Sequence, residues 1–191
     1  MQLIQRSRPG PRVSEANVVE CNIRSVNIVL DTDVLIKLAK TSAKETVASN
    51  FRVFVPPEVR RESVDEGKAK GFPDAARIQQ NIRAGLVRVQ RPRRIEPTEA
   101  LIRGLRVASG EADVLRLFRS GGMDAVVSDD RRFLQTLEAL GIPFATSSSL
   151  LVGMVRLKRI GVREGLALLE KLTGFVGDSE YLEARRVLEG R

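Results

Sequence analysis

The sequence predicts an α/β fold, a mostly parallel five-stranded sheet flanked by helices. Three observations carry that expectation. Short β-branched or apolar runs recur along the chain, and segments of helical period lie between them. Strands separated by helices need crossover connections, which pair them in parallel and cover both faces of the sheet. The chain has 191 residues, 42% of them hydrophobic. It lacks an apolar run of about 18 residues, so one domain of ordinary size with no membrane span is expected.

The elements follow in order. Residues 1–25, "MQLIQRSRPGPRVSEANVVECNIRS", carry Pro9, Gly10 and Pro11 among Arg and Ser without a sustained period. They read as a basic N-terminal extension, and 26–191 as a single domain. The first strand is "VNIVL" (26–30), apolar enough for burial on both faces, and a helix over 33–40 follows it. "RVFVP" (52–56) is the second strand, closed by proline, with helices over 57–70 and 73–84 behind it. "LVRVQ" (86–90) alternates as a third strand, and helices over 98–107 and 110–120 lead to the fourth, "DAVVS" (124–128). A helix over 130–140 precedes the fifth strand, "PFATS" (143–147). Three helices, 147–159, 162–173 and 179–189, close the chain, and no internal repeat is visible.

Composition excludes several chemistries. The chain has no histidine and one cysteine, Cys21, so a Ser/His/Asp triad, a Cys/His pair and a zinc cluster are all ruled out. Any metal must be held by oxygen, which points to Mg²⁺ or Mn²⁺. A single cysteine forms no internal disulfide and no hydrophobic signal segment stands near Met1, so a cytoplasmic protein is expected. The formal charge of +8 favours a polyanionic partner, because Lys and Arg that neutralise phosphates release condensed counterions. The basic residues are concentrated in the middle of the chain, at Arg83, Arg88, Arg91, Arg93, Arg94, Arg103 and Arg106.

The acids fall at particular places. In an open parallel sheet the functional crevice lies beyond the carboxyl ends of the strands, where neighbouring crossovers leave in opposite directions. Asp31 follows the first strand at once, and Asp129 and Asp130 of "SDD" follow the fourth. If those strands are adjacent, the carboxylates face one another. Glu62 in "PPEVRRESV" and the pair Glu111 and Asp113 in "SGEADVL" lie early in helices that reach the same rim. Singly, each acid reads as an N-cap or as a complement to a helix dipole. Together they repel one another unless a divalent cation neutralises them. Asp33 begins a helix and reads as its cap.

At these residues the chain resembles the PIN-domain nucleases, the fold of the VapC toxins. The resemblance rests on Asp31 in "VLDTDVLI", Glu62 in "VPPEVRRES", Asp113 in "GEADVLRL" and Asp130 in "VVSDDRRF", and it runs from Val26 to Leu188. The tail "LLVGMVRLKRIGVREGLALLEKLTGF" is similar to the closing helices of one branch of small prokaryotic PIN proteins. The resemblance implies a three-layer α/β sandwich and metal-dependent cleavage of RNA by an acidic quartet. Asp31, Asp113 and Asp130 would be metal ligands, with Asp129 and Glu111 as the alternatives, and Glu62 would orient water. Asp113 is favoured over Glu111 as the family position, and Asp130 over Asp129 because Ser128 stands two residues before it. Arg131 and Arg132 are candidates for the scissile or flanking phosphate, and Arg93 and Arg94 for the RNA backbone. A toxin of this kind would be a homodimer with an antitoxin protein as partner. The apolar faces of "ALIRGLRVA" and "LLVGMVRL" suggest where copies could meet.

Two other readings stand beside this one. A PIN fold can serve as a catalytically inactive RNA-binding or assembly module, although all four quartet positions are acidic here. "DTDVL" is also close to the DxDxT signature of haloacid-dehalogenase-type phosphatases, but Leu35 stands where that signature wants Thr or Val.

Overall fold

The computed structural model describes residues 26–190. The basic extension over 1–25 lies outside the described residues. Five strands form one sheet in the order β3-β2-β1-β4-β5, and every neighbouring pair is parallel. They are β1 (Asn27–Leu30), β2 (Arg52–Val55), β3 (Val87–Val89), β4 (Ala125–Val127) and β5 (Phe144–Ala145). β1 is central, and Ile28, Val29 and Leu30 are all buried because crossover helices cover both faces. This is the α/β sandwich expected from the strand–helix alternation.

The strand order fixes where a site can form. From β1 the chain moves outward to β2 and β3, then crosses back to β4 on the other side of β1. The switch point therefore lies between β1 and β4, which pair with Leu30 opposite Val127. The Asp31 amide continues that ladder by donating to the Val127 carbonyl at 3.1 Å. The residues following both strands are thereby held side by side.

The helices are α1 (Thr32–Lys40), α2 (Lys44–Asn50), α3 (Pro57–Arg60), α4 (Gly67–Ala69), α5 (Pro73–Arg83), α6 (Glu96–Gly104), α7 (Ser109–Arg119), α8 (Arg131–Ala139), α9 (Ser147–Arg156), α10 (Val162–Lys171) and α11 (Asp178–Leu188). Two features were not expected. α2 was not read from the sequence, since only Val47 of its seven residues is buried and one apolar contact establishes no period. The helix expected over 57–70 is not uniform: Arg61–Glu66 form a π-helical turn between α3 and α4. Such wide turns occur often at functional sites, and this one carries Glu62.

The three C-terminal helices pack on one another. Gly165 lets α10 approach α9 so closely that a Cβ there would stand 2.5 Å from Val155 Cγ2. Leu150, Leu151 and Met154 of "LLVGMVRL" point into the core, and Ile102, Leu105 and Val107 of "ALIRGLRVA" pack against it half-buried. Packing within the chain thus uses most of the apolar surface that had suggested a meeting of copies.

Candidate active site

Asp31 and Asp130 end neighbouring strands and begin helices. Asp31 is the N-cap of α1, with Oδ1 accepting from the Val34 amide at 2.8 Å. Asp130 is the N-cap of α8, with Oδ1 accepting from the Phe133 amide at 2.8 Å. Capping and chemistry are compatible, because each cap engages one carboxylate oxygen. Ser128 lies between them, fully buried, and its Oγ accepts from the Asp130 amide at 3.2 Å. Asp31 is only 7% exposed. Burial pushes its carboxyl up to about 7; hydrogen bonds from Ser128 and the Val34 amide pull the other way, and Asp33 and Asp129 add repulsion.

Glu62 approaches from the π-helical turn. The Thr32 hydroxyl donates to Glu62 Oε2 at 2.5 Å, which ties the residue beside Asp31 to the second acid. Gly110, in the first turn of α7, lies against the same carboxylate. A Cβ at Gly110 would stand 2.9 Å from Glu62 Oε2 and 3.2 Å from Oε1. Glu111 follows, with Oε2 accepting from the Ala108 amide at 2.7 Å at the start of α7. Asp31, Glu62, Glu111 and Asp130 line one crevice of about 230 Å³, together with Thr32 and Asp33. Four segments distant in sequence meet there, at the switch point.

The nearest lysine does not neutralise Asp31. Lys37 Nζ, on the buried side of α1, lies 2.5 Å from Asp33 Oδ2 and 2.8 Å from Asp129 Oδ2. Burial alone would lower Lys37, but its bonds to Asp129 and Asp33 outweigh that and leave it raised. Asp129 also accepts from the Ser147 amide and hydroxyl, each at 2.8 Å. These three bonds commit Asp129 to joining α1, α8 and α9, away from the crevice lining.

A family model described as a PIN domain matches residues 27–189. The chain belongs to the PIN-domain family. No curated protein and no solved structure matches it. The PIN fold is a nuclease-type fold, and the acidic crevice occupies the switch point of this PIN domain.

Not every expected residue reaches the crevice of the PIN domain. Asp113 Oδ1 accepts from Arg116 at 2.8 Å, and Arg116 also forms a two-pronged pair with Glu99 at 2.7 and 2.9 Å. Asp113 therefore faces α6, and Glu111, two residues earlier, lines the crevice. Arg131 and Arg132 are exposed in the first turn of α8, next to Asp130. Arg93 and Arg94 are exposed beyond the end of β3, on the same edge of the sheet as the crevice. Thr32, Lys37 and Gly110 were not singled out from the sequence. Lys37 had left a signal, a charged residue inside the apolar run "VLIKLA"; Thr32 and Gly110 had left none.

The lining suits a hard divalent cation. Its donors are all oxygen, and Asp31 is a buried acid whose nearest lysine is already paired. Among the described residues no three acidic side chains stand close enough to enclose a single ion. Two of the four carboxylates are held back by protein donors, Glu62 by Thr32 and Glu111 by the Ala108 amide.

Proposed function

We propose that this PIN domain is a metal-dependent endoribonuclease that hydrolyses RNA phosphodiester bonds with Mg²⁺ or Mn²⁺. The observation that carries the reading is the crevice itself, where four carboxylates from four segments face one another with only hydroxyl and amide donors between them. A cation held there would supply a water of lowered pKa and countercharge for the leaving oxygen. Asp31, Glu111 and Asp130 would hold it in part through bound water, since their carboxylates stand apart, and Glu62, oriented by Thr32, would align the attacking water. Ser128 and the Val34 amide fix the orientation of Asp31. Arg131 and Arg132 stand where a flanking phosphate could be received, and Arg93 and Arg94 where the RNA backbone could continue along the edge. Substrate charge and the formal +8 of the chain are complementary.

The test is cleavage of a mixed RNA pool with Mn²⁺, with EDTA and Asp31→Asn as controls. Cleavage abolished by both controls is expected; cleavage unaffected by either would overturn the assignment. The held-back carboxylates favour one second reading, a module that binds RNA without cutting it. Metal-independent binding with an intact RNA pool is its signature. A toxin-like role implies a homodimer and an antitoxin partner. Light scattering at tens of micromolar and co-purification with the product of an adjacent gene test these two points.

A further inference from the structure

Beside the acidic crevice, and sharing Thr32 and Glu62 with it, lies a second pocket of about 310 Å³. That is the low end of the range for sites that enclose a small ligand, about 300–1,000 Å³. Phe72 forms one wall and is 52% exposed, although an aromatic side chain would ordinarily be drawn into the core. Its backbone is fixed on both sides. Gly71 adopts a positive φ of 76°, the Phe72 amide donates to the Gly67 carbonyl at 2.9 Å, and Pro73 holds the preceding residue extended. The ring is thus presented at the pocket mouth on a constrained turn.

Asp74, only 6% exposed and on the first turn of α5, lines the pocket. Among the described residues no donor pairs with its carboxylate. Its carboxylate oxygens are not sealed from solvent, so a donor entering the pocket from outside the chain can reach an acceptor that no protein group uses. The cations at the rim do not supply one. Arg61 is occupied by Glu58 and Glu66, and Lys70 leans toward Glu66 at 3.9 Å with its side chain 64% exposed. Glu62, Glu66 and Asp74 outnumber Arg61 and Lys70 around the pocket, which disfavours a phosphate inside it. An uncharged planar group with N–H donors suits both the ring and the acid.

We propose that this pocket is a nucleobase subsite. An unpaired base next to the scissile phosphate stacks on Phe72 and offers its N–H edge to Asp74, and guanine fits best because its N1–H and N2–H present two parallel donors to one carboxylate. The proposal rests on the nuclease reading and deepens it to a preference for single-stranded RNA with guanine beside the cut.

The chain has no tryptophan, so Phe72→Trp creates a single fluorescent reporter at the pocket mouth. Placed in Asp31→Asn protein with Mg²⁺, its emission should be quenched by a short single-stranded RNA whose binding is followed in parallel by anisotropy of a labelled end. Phe72→Ala in the same background should weaken that binding about tenfold, the scale of one base–aromatic stack. Replacing the guanine by inosine, which lacks the 2-amino group, should weaken binding to Asp74 protein and not to Asp74→Asn. Saturated binding with unchanged Trp emission would overturn the subsite. Quenching with no difference between guanine and inosine would overturn the role of Asp74. Wild-type protein with Mn²⁺ separates these failures from failure of the nuclease reading: RNA left uncut by wild type sinks both, whereas RNA cut by wild type while the Phe72→Trp reporter stays unresponsive sinks the subsite alone.

Discussion

Glu111 and Asp113 stand two residues apart on α7 and meet opposite surroundings. Glu111 lines the acidic crevice with an amide as its hydrogen-bond donor, and Asp113 is bound to the guanidinium of Arg116, which Glu99 grips from α6. Two residues on an α-helix turn the side chain through about 200°, so the two acids cannot share a face. The difference teaches that a carboxylate's role is decided by where the nearest cation lies. An acid with an arginine beside it holds helices together. An acid without one is available to a cation from solvent.

The largest expected effect tests this contrast directly. Glu111→Gln should reduce RNA cleavage at least about a hundredfold, because the ligand's charge stabilisation is worth several kcal/mol, while Asp113→Asn should stay within about threefold of wild type. Initial rates in Mn²⁺ decide it, and the reverse ranking would return Asp113 to the site. The same pair should separate in melting experiments. Added Mg²⁺ should raise the melting temperature of wild type and Asp113→Asn, since an ion that binds only the folded state stabilises it, and should do little for Glu111→Gln.

A smaller effect follows from Asp31. Burial pushes its folded carboxyl up to about 7 from an ordinary 3.8, so between those values the folded state binds more protons than the unfolded one. Metal-free stability should therefore fall as pH rises through that window and level off above it. Urea midpoints measured in EDTA at pH 5, 6 and 7.5 check the sign, and Asp31→Asn should flatten the slope. Stability that rises across the window in wild type would contradict an unpaired, buried Asp31.

Smaller again is the stability cost of Asp113→Asn. One arm of the Arg116 network is lost and the Glu99 pair stays, so about 0.5 kcal/mol, or one to two degrees in melting temperature, is expected. The least effect belongs to the outer arginines. Replacing Arg93 and Arg94 together should make log affinity for single-stranded RNA less steep against log salt, by about 0.7 for each phosphate contact removed, without moving the cut sites. An unchanged slope would remove them from the RNA path.

The sheet was legible because its signals are local. Each of the five strands is a run of apolar residues bounded by turn or charge, and the adjacency of β1 and β4 follows from the rules of parallel topology. α2 was invisible, since "KETVASN" buries one side chain. The π-helical turn was equally so, because its hydrogen-bond shift has no counterpart in residue type. Within the site, Asp31, Glu62 and Asp130 could be placed at the rim from the strand ends and helix starts that hold them. Asp113 and Asp129, expected as ligands from the sequence, stand outside the crevice lining for two different reasons: Arg116, three residues on in the same helix, binds Asp113, and Lys37 reaches Asp129 from α1. Lys37 is 92 residues from Asp129 in sequence, and Glu99 recruits Arg116 from the preceding helix. Pairing across 92 residues leaves no local pattern, whereas the i,i+3 spacing of Asp113 and Arg116 is one.

Gly110 has a consequence for how this activity could be lost or regulated. Its missing side chain is the space in which the Glu62 carboxylate rests, so one added methyl would intrude first on the flexible end of Glu62. Gly110→Ala would therefore leave the sheet, the helices and the inventory of acids intact and simply move one of them aside. A chain carrying that change would still look, residue for residue, like a complete member of its family. On the nuclease reading, inspection of its acids alone would count it as active, whereas cleavage assays of Gly110→Ala are expected to show a loss that the acid inventory does not reveal.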